Sequence, residues 1–335
     1  MSKILVTGSA GYIGSHCALK LLKTGADVVA FDNLSTGHIE IIEKLKRIGS
    51  VDFVRGDLRN IDDIKNVFEN HKIDAVMHFA AFSQVGESMK FPQKYYENNV
   101  VGTINLLSAM LKYDINKIVF SSTAAVYGEP KYTPIDENHP QKPINPYGQT
   151  KLMIEKIMDD YDRAYNLKSV RLRYFNVAGA DTSGIIGEWH EPETHLIPNI
   201  LKASFGEEKV FELYGDDYDT KDGTCVRDYI NVEDLAQAHV LALKYLFAGG
   251  NTTYINLGTS EGNSVKEVFQ TSEEIVGNSI KTKVLPRRAG DPAILVADNH
   301  KAQKILNWKP ERDLKYSIKT AYEWEKSFQK GLLNV

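Results

Sequence analysis

A strand-like run, KILVT, leads directly into Gly8-Ser-Ala-Gly11-Tyr12-Ile13-Gly14 and a stretch of helical period. Few folds accept that junction. The first glycine permits a tight turn, the second lets backbone approach a pyrophosphate, and the third lets helix and strand pack closely. Phosphates at such a turn meet the unpaired N–H groups and positive dipole end of the helix. The spacing is GxxGxxG rather than the commoner GxGxxG, and either alone is weak evidence; its place between strand and helix gives it meaning. Asp32 closes the second strand-like run, where an acceptor for the ribose hydroxyls of adenosine is needed. A carboxylate there repels a 2′-phosphate, so the expected cofactor is NAD rather than NADP. As an isolated residue, Asp32 also fits a strand-end turn in DNLSTG. Asp57 in RGDLRN is a candidate partner for the adenine amino group and equally a candidate helix N-cap.

The alternation continues through the first half. Strand-like runs fall at 4–7, 28–31, 53–54, 75–79, 118–121 and 169–174, with helical periods at 14–23, 61–70, 95–113 and 147–165. This pattern predicts an α/β fold, a doubly wound parallel sheet with helices on both faces. Short apolar strands suit a sheet covered on both sides. Near residue 178 the pattern changes to the loop-rich stretches GADTSGIIGEWHEPETH and YGDDYDTKDGT, then a helical period at 232–247 and the strand-like TYINLG. The expectation is a nucleotide-binding domain over 1–178 and a smaller mixed α/β substrate domain over 179–335, with late segments free to return to the first sheet.

Composition narrows the class. The 335 residues are 42% hydrophobic and 25% charged, with a formal charge of -4, as in ordinary globular proteins. No Lys/Arg block marks a nucleic-acid surface, and no apolar run approaches the ~20 residues of a membrane span. Cys17 and Cys225 are the only cysteines, which excludes a disulfide framework and suits a reducing compartment. No signal-peptide pattern precedes the first strand. A cytoplasmic protein is expected, with neither nucleic acid nor membrane as partner.

Tyr147 and Lys151 in NPYGQTK share one face of a helix. Thr123, in the Ser121-Ser122-Thr123 run at a strand end, brings a hydroxyl toward the same oxygen. A free phenol titrates near pH ~10, so ionising it at neutrality costs about 4 kcal/mol. An adjacent cation supplies that shift, and an oxidised nicotinamide alongside pushes the same way. The set points to hydride chemistry at an alcohol carbon. The same spacing also fits a half-buried ring beside a solvated ammonium.

The chain resembles the extended short-chain dehydrogenase/reductases and, within them, the UDP-glucose (UDP-galactose) 4-epimerases. The resemblance runs over nearly its whole length, in VTGSAGYIGSH, FDNLSTG, HFAAFSQVGES, YYENNVVGT, FSSTAAVYG, PYGQTK, RYFNVAGA, HLIP, DGTCVRDYI, NLGTSEGNSV and PRRAGDPA. It implies a Rossmann-type first domain. It implies NAD contacts at Gly8, Gly11, Tyr12, Ile13, Gly14, Asp32, Asn33, Asp57, Leu58, Phe79, Ala80, Asn98, Ser121, Tyr147, Lys151 and Tyr174. Thr123 and Tyr147 match the positions that handle the C4 hydroxyl. Asn176, Leu196, Tyr214, Arg227, Arg288 and Asp291 match the UDP-sugar site, where the arginine fork suits phosphate. Ser83 replaces a lysine found near the cofactor in some epimerases. His195 replaces an asparagine of the substrate site.

The implied reaction is NAD-dependent interconversion of UDP-glucose and UDP-galactose. Tyr147 takes the C4 proton as hydride leaves, Lys151 holds the phenolate and the nicotinamide ribose, and Thr123 orients the hydroxyl. The 4-keto sugar turns about its pyrophosphate bonds and hydride returns to the other face. Leu295 falls where a tyrosine restricts the family to plain hexoses, so activity on UDP-N-acetylglucosamine and UDP-N-acetylgalactosamine is also expected; the alternatives are an enzyme acting mainly on those N-acetylhexosamines or a non-catalytic NAD-binding regulator. Related 4,6-dehydratases carry Asp-Glu after the active-site Thr, where this chain has Ala124 and Ala125. A homodimer through a four-helix contact is implied as well. The segment His190-Glu191-Pro192-Glu193-Thr194-His195 lacks HExxH spacing, and Pro192 disfavours a continuous helix, so it is taken as substrate-loop sequence with no metal.

Overall fold

A computed structural model describes residues 2–206, 210–287 and 291–331. Its first six strands are β1 (Lys3–Thr7), β2 (Asp27–Asp32), β3 (Val51–Arg55), β4 (Ala75–His78), β5 (Lys117–Ser121) and β6 (Lys168–Tyr174). With the later strand Thr253–Leu257 they form one parallel sheet of seven, in the order Thr253–Leu257, β6, β5, β4, β1, β2, β3. This is a Rossmann-type α/β fold. Strand order reverses beside β1, whose Thr7 is level with both Phe31 of β2 and His78 of β4. A crevice opens beyond the carboxyl ends of the strands at such a switch point.

Alternation along each strand builds two cores. Ile4 and Val6 of β1 face one layer, while Leu5 faces the other. The first layer contains α1 (Tyr12–Lys23) and α2 (Ile39–Lys46), with α1 packed on the later helix Val232–Phe247. The second contains α3 (Ile61–Asn70) and, further on, α6 (Gly102–Lys112) and α7 (Pro146–Tyr165). Between them run α4 (Val85–Lys90) and α5 (Pro92–Tyr95).

The helical period at 95–113 is not one α-helix. After α5 the chain widens into a π-helical stretch, Tyr96–Val101, before α6 resumes. Asn99 inside it donates to the Phe82 carbonyl and to Thr150 Oγ1, and accepts from Phe82 N. These tertiary bonds reward a turn that sequence periodicity does not reveal.

Residues beyond 178 divide between two places. Val232–Phe247 and Thr253–Leu257 complete the first sheet and its helical layer, so the division at 178 does not separate two closed bodies. Apart from His300–Leu306 and its neighbours, which join the first core, most of the rest builds a third. It contains the helices Leu196–Ser204, Val265–Val276 and Leu314–Gln329, and the paired strands Phe211–Tyr214 and Thr282–Leu285. Among the described residues, no helix is long and apolar enough to cross a membrane.

Candidate active site

One cavity of about 810 Å³ runs across the carboxyl ends of the strands and under the loops after residue 178. Its floor is the glycine turn. Gly8 has φ +71°, and a Cβ there would lie 2.6 Å from Ala80 N. A Cβ on Gly14 would fall 2.1 Å from the Gly8 carbonyl oxygen, so helix and turn pack too closely for any side chain. Gly11 differs: its Cβ would meet only that oxygen, at 3.5 Å. The protein tolerates a side chain at Gly11, but the space it would fill belongs to the cavity. That cradle suits a pyrophosphate at the start of α1.

Asp32 closes the strand-end turn weighed from the sequence and reaches the cavity as well. Its Oδ1 accepts from Leu34 N at 2.8 Å and closes the turn, while Oδ2 accepts from Ala10 N at 2.9 Å and braces the glycine loop. Burial raises its pKa, opposed by those bonds. It also lines the cavity, with lone pairs left for ribose hydroxyls. Asp57 is not the N-cap of α3; that is Asn60, which accepts from Asp62 N. Asp57 is instead forked by Arg59 and bonded by Asn33 Nδ2 at 2.9 Å, and Arg59 holds its carboxyl well below the usual carboxylate range. Tyr12, Ile13, Asn33, Leu58, Phe79, Ala80 and Asn98 also line the cavity.

The reactive group set lies beyond β5. Asn145 caps α7 by accepting from Gly148 N at 2.8 Å, and Pro146 opens its first turn. This places Tyr147 and Lys151 on the face toward β5, both lining the cavity with Thr123 and Ser121. Thr123 accepts from Ala125 N at 3.1 Å at the start of a short 3₁₀ turn. Lys151 Nζ donates to the Ser121 carbonyl at 2.7 Å and lies 6.0 Å from the centre of the Tyr147 ring. The direction in which the Tyr147 phenol moves is set by burial rather than by the Lys151 ammonium. Burial raises the Tyr147 pKa, opposed by a hydrogen bond with Thr123. Burial also pushes Lys151 down to about 7, opposed by Glu155. Both groups lose water, and the ammonium is committed to a carbonyl. Tyr174 shares a short hydrogen bond with Ser121 Oγ, completing this wall.

Behind the wall is a buried pair that sequence reasoning missed. Glu155, one turn beyond Lys151, is forked by Arg173 of β6 and accepts from Ser122 Oγ at 2.5 Å. Arg173 also donates to Tyr127 OH at 2.9 Å, and Tyr127 donates to Asn256 at 2.6 Å. The network ties α7 to the strand that carries Tyr174. No spacing signal announces it, because the partners meet only across the sheet.

Of the residues matched to a substrate site, Asn176, His195, Leu196, Arg227, Asp291 and Leu295 line the cavity. Arg227 is nearly buried, donating to the Val226 and Pro292 carbonyls with Asp291 at 3.8 Å. Leu295 both lines the cavity and packs against the small core around Tyr127 and Leu152. Tyr214 does not line it; its hydroxyl donates to Glu212 on the same strand. Arg288 lies outside the described residues. Ser83 is in the lining, and so is Lys94, whose Nζ pairs with Glu87 at 2.8 Å. Ala124 and Ala125 put no ionisable group beside Thr123.

The loop 179–195 brings a further surprise. Glu188, His190, Glu193 and His195 place one donor atom each within 4.8 Å of one another. His195 Nδ1 lies 2.6 Å from Glu188. Against burial, the two carboxylates push the His195 imidazolium up to about 10, and its charge holds Glu188 below the usual carboxylate range. The motif HEPETH omits Glu188, so its spacing gave no warning.

A parallel sheet with a glycine cradle, a strand-end aspartate and a Thr-Tyr-Lys set around one cavity defines a nucleotide-dependent enzyme of the short-chain dehydrogenase/reductase class. A family model described as GDP-mannose 4,6 dehydratase matches residues 5–321. A UDP-glucose 4-epimerase of Lacticaseibacillus casei is 52% identical over 329 residues, covering 98% of each chain. The solved UDP-glucose 4-epimerase of Bifidobacterium longum, in complex with NAD+ and UDP, is 40% identical, with TM-score 0.93 over 98% of this chain and 100% of that one. The UDP-Glc/GlcNAc 4-epimerase of Campylobacter jejuni is 43% identical, with TM-score 0.86 over 98% and 100%. The chain belongs to the UDP-glucose 4-epimerase family.

Proposed function

We propose that the protein interconverts UDP-glucose and UDP-galactose by oxidation and re-reduction at C4, with NAD as its cofactor. The observation that carries this reading is Tyr147, with Thr123 and Lys151, lining the same cavity as the Gly8–Gly14 cradle and Asp32. The open space at Gly11 and the acceptor at Asp32 fit a dinucleotide. When bound, NAD+ supplies a hydride acceptor and a positive charge beside the phenol. The chain's own residues do the rest. Tyr147 takes and returns the C4 proton, and Thr123 holds the hydroxyl in line. Lys151 exchanges its carbonyl partner for the phenolate and a ribose hydroxyl.

Arg227 and Leu196, both at the cavity, would grip the UDP and leave the keto sugar to turn. Ala124 and Ala125 offer no acid/base pair for eliminating water, which favours epimerisation over dehydration. A second activity, on UDP-N-acetylglucosamine and UDP-N-acetylgalactosamine, is supported by Leu295 at the cavity wall, smaller than tyrosine. We read the assembly as a cytoplasmic homodimer. Incubation with UDP-galactose, and separately with UDP-N-acetylgalactosamine, without added NAD tests both activities. Chromatography should find the gluco epimer in each case, and absence of the second product alone would remove only the N-acetyl activity.

A further inference from the structure

The cluster on the loop over the cavity is built for more than an ion pair. Pairing explains His195 with Glu188, 2.6 Å apart. It leaves the rest unsatisfied. Glu193 has a side chain only 5% exposed; its Oε1 accepts from Thr194 N and His195 N at 2.7 and 2.8 Å, but its Oε2 is buried without a hydrogen-bond partner. His190 Nδ1 is buried and equally without a hydrogen bond. These two orphans face each other at 3.8 Å, too far for a hydrogen bond. Lys202 Nζ stands 3.9 Å from Glu193 Oε2, also beyond hydrogen-bond reach. Burying such atoms unpaired is costly, and native structures give them partners.

The separations scatter around those of one ion's ligands, from 2.6 Å between His195 and Glu188 to a limit of 4.8 Å across the set. Nδ1 of His190 lies 3.3 Å from Glu188, and Nδ1 of His195 lies 3.4 Å from Glu193. Ligands about 2.0–2.2 Å from a tetrahedral zinc stand roughly 3.3–3.5 Å from one another. Two imidazoles with two carboxylates favour a transition-series dication over magnesium or calcium, which prefer oxygen alone. We propose that Glu188, His190, Glu193 and His195 form a binding site for a divalent cation of the zinc type, one per chain.

Its position gives it a task. His190 packs edge-on against Tyr12, whose ring centre is 6.2 Å away, so the cation would pin the loop to the first turn of α1. It would also cancel the charge of the two carboxylates beside a cavity suited to diphosphates. A metal on Nδ1 of His195 displaces the imidazolium proton there to solvent, leaves the other proton on Nε2 and fixes that ring nitrogen as a donor. None of this depends on which sugar the enzyme accepts.

The test uses the NAD-loaded protein, treated with chelator, dialysed and titrated with Zn²⁺ by calorimetry. One saturable equivalent per chain is expected, at least about tenfold weaker in His190→Gln and in Glu193→Gln. Thermal stability should rise on adding Zn²⁺ to the native protein and not to the variants. Absence of saturable binding, or unchanged affinity in either variant, would overturn the proposal. X-ray absorption at the zinc edge of the native complex is independent of how the variants fold. Nitrogen and oxygen ligands alone support the site, whereas sulfur from Cys17 or Cys225 contradicts it.

Discussion

The reactive wall and the loop over it occupy the same cavity but are held in different ways. Thr123, Tyr147 and Lys151 stand on a strand end and a capped helix, locked from behind by Glu155 and Arg173. Glu188, His190, Glu193 and His195 stand on a loop without regular structure, held by packing against α1 and by one another's charges. The difference teaches that this fold separates the chemistry, which requires fixed geometry on regular elements, from contacts over the cavity that rest on one loop's side chains.

The sharpest way to break the comparison is on the wall itself. Tyr147→Phe should lower kcat by ~10²–10⁴-fold, since it removes the acid/base and almost no volume. NAD and UDP binding should survive, as read by calorimetry. Near-normal turnover would place the base elsewhere. The buried lock comes next. Glu155→Ala leaves Arg173 unpaired and should cost about 3–5 kcal/mol of stability, seen as a lower denaturation midpoint. A comparable loss from Glu188→Ala would erase the contrast, because that variant removes a pair open to solvent at His195.

Legibility in the sequence followed the same division. The glycine turn, Asp32, Thr123, Tyr147 and Lys151 were readable because each is tied to backbone chemistry within a few residues: a turn, a strand end, a helix face. Glu155 and Arg173 were not, since 18 residues and a change of element separate them. Glu188 was not, because metal-ligand spacing of the HExxH kind describes a helix, and the loop folds its donors together without one. The π-helical stretch Tyr96–Val101 escaped for a related reason: it is stabilised by Asn99 reaching Phe82 and Thr150, contacts that no periodicity encodes. The carbonyl bond of Lys151 was not legible either, because spacing fixes only the face of the helix, whereas burial and the Ser121 carbonyl meet the ammonium across the fold.

Two smaller effects sharpen the picture. Leu295→Tyr should remove activity on UDP-N-acetylglucosamine while keeping activity on UDP-galactose, a test of whether this side chain acts at the cavity or only in the core behind it. Lys151→Met should abolish turnover yet stabilise the cofactor-free fold by a few degrees. The sign follows from linkage. Lys151 titrates at about 7 when folded, below its value of ~10.4 in the unfolded chain. Between those values the unfolded state holds the extra proton, so native stability rises with pH there. The advantage of Lys151→Met should therefore be largest below pH ~7 and vanish near pH ~10. A stability gain independent of pH would mean that packing, not the buried charge, is responsible.

The most direct measurement is the simplest. Purified protein is given UDP-galactose with no cofactor added, and sugar nucleotides and absorbance at the NADH band are followed together. UDP-glucose should appear catalytically, with no net NADH, because the hydride taken from C4 returns to it within each turnover. Stoichiometric NADH accumulation, or no UDP-glucose at any concentration of NAD, would contradict C4 epimerisation at this wall.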